Sequence, residues 1–158
     1  MTTYTANRVA DTLIDLARKE DIEISNLKLQ KLLYYAQAWS LVLRDEPLFL
    51  EDFEAWVHGP VVPAVFRRFK SYRWKNIDES VIPIPDKELQ EHLREVLRVY
   101  GRLTPIQLER LSHSEEPWKT ARKGLDPIAA SNAPISKQSM KDFYSTLYDE
   151  QEEETTAK

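Results

Sequence analysis

The chain reads as a mainly α protein: a single compact helical domain around a central buried helix, with a small β-hairpin pairing residues near 52–58 with residues near 80–84. Three observations predict this. On a helical wheel turned about 100° per residue, the stretch from Ser25 to Arg44 is apolar on two sides, with Leu29, Leu32, Leu33, Ala36, Trp39 and Leu43 on one and Leu27, Tyr34, Tyr35, Ala38, Leu41 and Val42 on the other. A helix apolar on two sides must be covered on two sides. The segments around it carry single apolar stripes, and Pro, Gly and capping residues separate them without a long linker.

Taken in order, Thr5 to Lys19 places Val9, Leu13, Leu16 and Ala17 at helical spacing. Ser25 is a suitable cap for the central helix, and Pro47 closes it after Asp45 and Glu46 because proline cannot continue the backbone ladder. Two narrow polar seams divide this helix, one of Gln30, Gln37, Ser40 and Arg44, the other of Lys28 and Lys31. Phe53, Ala55 and Val57 alternate as a short strand does, and Gly59 with Pro60 makes a turn. Val62, Val65, Phe66 and Phe69 then recur at helical spacing, with Pro60 and Pro63 in the first turn. Residues 71–85 read as a loop containing a short strand at 80–84.

Asp86 caps the next helix, striped by Leu89, Leu93, Val96, Leu97 and Tyr100, with Gly101 suited to a left-handed end. Thr104, Pro105 and Gln107 supply a capping box with proline at the first helical position. Pro117 opens a further short helix that Gly124 ends. Ser136 caps the last one, with Met140, Phe143, Tyr144 and Leu147 inward. The domain is expected to span residues 1–148. Residues 149–158, with five carboxylates, have the composition of a disordered acidic tail.

At 158 residues the chain fits one domain, and folding at that size buries roughly 70% of the unfolded surface. The absence of cysteine excludes disulfides, thiolate metal sites and cysteine nucleophiles. No apolar run approaches the roughly 20 residues that cross a membrane, and Arg8, Asp11 and Asp15 break up any leader-like stretch, so a cytoplasmic location is expected. A net charge of −4 argues against nucleic acid as the main partner. Yet five cations lie between Arg67 and Lys75, interleaved with Phe69, Tyr72 and Trp74, groups able to stack on bases. An acidic protein partner fits this run better than nucleic acid does.

Enzymatic chemistry is not expected. Three glycines in the whole chain are too few for a phosphate-binding loop. His58 and His113 are read as orienting their local turns rather than transferring protons, and His92 as solvated. Neither Ser112 nor Ser114 has a nucleophile setting, and Glu51, Asp52 and Glu54 are read as a solvated turn rather than a metal site. No cofactor or metal is expected.

Three anchors, KLQKLLYYAQAW, EAWVHGPVVPAVF and LSHSEEPWKTAR, followed by ISKQSMKDFY, resemble the SocA-like antitoxin family, the Panacea domain, from about residue 6 to 148. The resemblance implies a helical bacterial or phage antitoxin that neutralises a cognate toxin by direct protein contact. The alternatives are a proteolytic adaptor that delivers the toxin to a protease, with a protease or chaperone as partner, and a nucleic-acid-binding regulator that uses residues 67–75. Gln30, Tyr34, Gly59, Pro60, His113, Pro117 and Trp118 are matched motif residues read as structural. Lys28 and Lys31 are harder to place as core filling, because an unpaired buried ammonium is costly. With Tyr35, Trp56, His58, Arg67, Arg68 and Lys70 they are the expected partner-binding residues.

Overall fold

The computed structural model, which describes residues 3–157, has seven α-helices and a small three-stranded sheet. The central post is α2, Asn26–Arg44, capped by the Ser25 hydroxyl on Lys28 N. Against it pack α1 (Ala6–Lys19), α3 (Pro63–Arg68), α4 (Lys87–Tyr100), α5 (Pro105–Ser114) and α7 (Lys137–Ala157). The short α6, Glu116–Ala121, leans on α5 and α7.

Most of the two apolar sides of α2 is buried as the wheel predicts, with Leu43 at the C-terminal end exposed, and the seam residues Lys28, Gln30, Lys31, Gln37 and Ser40 are buried as well. Gln37 shows why. Its side chain donates to Phe49 O at 2.8 Å and accepts from Leu48 N at 2.7 Å, while Ser40 donates to Glu46 O at 2.7 Å. Gln30 accepts from Val62 N at 2.9 Å and donates to Asn26, which donates in turn to Phe66 O at 3.0 Å. Irregular backbone buried beside a helix needs partners for its N–H and C=O groups. The seam of Gln30, Gln37 and Ser40 provides them.

The hairpin exists, but its second strand differs from expectation. β1, Phe53–Trp56, pairs antiparallel with β2, Gly59–Val61, in the register Trp56 to Gly59 and Glu54 to Val61. On its other edge β1 pairs with β3, Pro134–Ile135. Pro60 therefore lies in a strand, and α3 begins at Pro63. Residues 80–84 form no strand. Ile84 N instead donates to Thr12 Oγ1 at 2.9 Å, and Arg18 donates to the carbonyls of Ile77 and Glu79, so α1 side chains pin this loop. Alternation alone could not separate a strand from an extended loop fixed by side chains.

Three smaller expectations change as well. The left-handed helix end belongs to Asp45 after α2 (φ 58°), whereas Gly101 after α4 is right-handed. His92 is buried, not solvated, and its Nε2 bonds Ala36 O at 2.8 Å. Burial holds its pKa below the ordinary histidine value, against the opposing effect of that bond. Last, α7 continues through the acidic residues as an exposed helical extension where composition predicts disorder. Its sequence there is free of glycine and proline, so nothing local ends the helix.

Candidate partner-binding face and the buried centre behind it

A tyrosine from the middle of α2 and one from α7 meet on a buried carboxylate. Tyr35 donates to Glu115 Oε1 at 2.6 Å, and Tyr144 of α7 donates to the same oxygen at 2.9 Å. Tyr34 and Tyr144 bring their hydroxyl oxygens to 3.1 Å, and Tyr35 stacks on Tyr100 with ring centroids 4.1 Å apart. Burial raises the Glu115 pKa while its two tyrosine donors pull it back. Glu115 lies in the bend between α5 and α6, so one carboxylate ties that bend to α2 and α7. Tyr35 is thus an internal anchor. Its predicted place on a contact surface is corrected by its complete burial.

Four residues earlier on α2, Lys31 is 1% exposed, and its ammonium has no hydrogen-bond partner. Desolvation, which outweighs the attraction of Glu109, brings its pKa down to about 7. Its chain end lies under the β1–β2 turn. A Cβ added to Gly59 would stand 2.4 Å from Lys31 Cε and 3.0 Å from Ser112 Oγ, so the end of Lys31 would have to shift, and Gly59 adopts φ +113°, a backbone conformation that favours glycine. His113 stacks on Trp118 at 4.0 Å, and burial lowers its pKa. Trp118 Nε1 donates to Trp56 O at 2.8 Å, and Arg122 donates to Ala55 O at 2.9 Å. The first strand of the hairpin is therefore clamped by Trp118 of α6 and by Arg122 at that helix's C-terminal end.

Outside this centre the surface opens. A cleft of about 360 Å³ lies between the start of α2, the end of α3 and the start of α5. Leu27, Phe66, Trp74 and Pro105 give it apolar walls, with Lys70 and Arg73 at its edge. Through Leu27, His58 and Phe66 it continues into a second cleft of about 370 Å³ beside Trp56 and Val61. Through Ser25, Trp74 and Pro105 it meets a third of about 490 Å³, where Lys28 and Arg102 stand with Asp21 and Glu23. Burial first, and then the like charge of Arg102, lowers the Lys28 pKa.

Of the sequence-predicted residues, Lys28, Trp56, His58 and Lys70 share this face, and Arg67 is exposed next to it in sequence. His58 donates from Nδ1 to Glu109 at 2.6 Å. Lys31 lies beneath the face, and Arg68 turns away to pair with Asp11 at 2.6 Å and Glu79 at 3.3 Å. Residues that the sequence reading did not assign to a site include Leu27, Phe66, Glu115 and Arg122. Leu27 and Phe66 carried a signal only as apolar residues, which does not distinguish a cleft wall from core.

Residues 29–119 match the family described as "Antitoxin SocA-like, Panacea domain". The chain belongs to this family. It is 39% identical to "Antitoxin SocA" of Caulobacter vibrioides (strain NA1000 / CB15N), over 75% of this chain and 71% of the relative. No solved structure matches. Among the described residues no helix is long and apolar enough to cross a membrane, and no group of three or more His, Asp or Glu side chains is placed to hold a metal ion. The Panacea match covers both the tyrosine–Glu115 centre and the Lys31–Gly59 junction, except for Tyr144.

Proposed function

We propose that this Panacea-domain chain is an antitoxin that neutralises a cognate toxin by binding it directly. The family and its relative named as an antitoxin support the role. The observation that carries direct binding is the run of three adjoining clefts along the α2 N-terminal end. Open apolar clefts edged by aromatic and cationic side chains are the surfaces on which protein partners anchor. The inner motif residues hold this face rigid: Gln30 fixes β2 and α3 through Val62 and Asn26, and Trp118 with Arg122 fixes β1.

The test is co-expression with the product of the neighbouring toxin gene. Growth rescue together with a co-purifying complex is expected. Killing that persists, with no complex, would overturn the reading.

A further inference from the structure

Resting on that reading, we infer that the cleft between α2, α3 and α5 receives an acidic segment of the toxin carrying one apolar anchor side chain. Three observations converge on this. The cleft's apolar walls, Leu27, Phe66 and Pro105, end at Trp74, which is 76% exposed. An indole so open to water next to an apolar recess is unfinished burial, and a partner's apolar side chain completes it.

The charge around the cleft selects the partner. Arg68 is neutralised by Asp11 and Glu79, but Arg67, Lys70, Arg73 and Lys75 make no ion pair among the described residues. No carboxylate lines this cleft, although Asp21 and Glu23 line its neighbour. On a chain of net charge −4, the cleft's own lining is cationic, its nearest carboxylates being Glu109 on His58 and Asp21 and Glu23 in the adjoining recess. Carboxylates flanking the anchor would meet Lys70 and Arg73 on one side and Lys28 and Arg102 at the far end of the adjoining recess.

The backbone adds a third observation. Arg73 ends the 3₁₀ turn Lys70–Tyr72 at φ 57°, ψ −115°, outside the left-handed helical well that Asp45 occupies. A residue with a Cβ is strained there, and glycine would not be. The conformation turns the chain between Lys70 and Trp74, placing three cleft contributors within five residues, Lys70, Arg73 and Trp74, on one rim.

The experiment uses the full chain and the product of the neighbouring toxin gene. Affinities are measured by titration calorimetry for wild type, Trp74→Ala and the pair Lys70→Glu, Arg73→Glu, with Arg98→Glu on α4 as control. Circular dichroism confirms that each is folded. The charge-reversed pair is expected to weaken binding roughly tenfold or more, with a shallower salt dependence, and Trp74→Ala roughly tenfold. Arg98→Glu is expected to bind like wild type. If wild type binds and the cleft variants bind equally well, the cleft assignment falls while the antitoxin reading stands. If wild type forms no complex, both fall. A single-stranded oligonucleotide that binds tighter than the toxin and is lost in the charge-reversed pair would also overturn the assignment, in favour of nucleic acid.

Discussion

The Tyr35 hydroxyl and the Glu115 carboxylate, 2.6 Å apart, join the middle of the central helix to the bend between α5 and α6. Tyr35→Phe keeps the ring stacked on Tyr100 and removes one donor to a buried carboxylate. The expected loss is about 1–3 kcal/mol of unfolding free energy, the range for a buried polar group that loses a partner. Urea denaturation at neutral pH measures it. Glu115 adds a pH signature. Its folded pKa lies above the ordinary glutamate value, so the stability it contributes is fully present below that ordinary value and declines as pH rises through the folded one. Glu115→Gln should remove the decline, so that wild type loses ground relative to the variant as pH rises from about 4.5.

Lys31 titrates with the opposite consequence. Its pKa is about 7 in the folded protein and near 10.5 when exposed, so between these values the unfolded chain binds more protons than the folded one. Stability therefore rises with pH across this window, by up to about 1.4 kcal/mol per unit. Lys31→Met replaces the ammonium with an apolar chain of similar reach and should flatten the slope. The measurable quantity is the difference in unfolding free energy between the two proteins at pH 7, 8 and 9. An identical slope in both would show that the amine does not titrate in this window.

The acidic end of α7 tests how far the cooperative unit extends. Residues 149–155 are exposed, and the last ring packed towards the core is Tyr148 against Trp39, with centroids 6.4 Å apart. Ending the chain after Tyr148 removes helix without removing buried apolar surface. Such a truncation is expected to shift unfolding free energy by no more than about 0.5 kcal/mol. The helical signal in far-ultraviolet circular dichroism should fall in proportion to the residues lost.

What the sequence made legible follows the physics of each signal. The two apolar sides of α2 marked it as central because burial on both faces leaves a pattern in composition alone. The Thr104–Gln107 capping box was readable because its partners are three residues apart. The strand partner of 53–56 was misplaced because pairing at 59–61 depends on a turn, and the exclusion of 80–84 depends on Thr12, seventy-two residues away. The site divides in the same way. Lys28, Trp56 and Lys70 were found as cationic and aromatic residues, and they do line the clefts. Tyr35 and Lys31 drew notice for the same chemistry but lie inside. Residue type signals an unusual environment without stating whether that environment is a surface or a core.

The Lys31–Gly59 contact separates two reasons for a glycine. Gly59→Ala places a methyl where Lys31 Cε stands and also forces a side chain onto φ +113°. Shortening the lysine in Lys31→Ala removes the collision and leaves the backbone strain. A double-mutant cycle therefore partitions the two effects. Gly59→Ala alone is expected to be destabilising by about 2–4 kcal/mol, combining overpacking with an unfavourable φ. In the Lys31→Ala background the same substitution should cost less by about 1 kcal/mol or more, the steric share. Equal costs in both backgrounds would mean that the backbone alone demands glycine and that the ammonium can move aside. A larger cost beside Lys31 assigns part of the glycine requirement to the buried lysine, which ties the central helix to the hairpin that lines the cleft beside Trp56 and Val61.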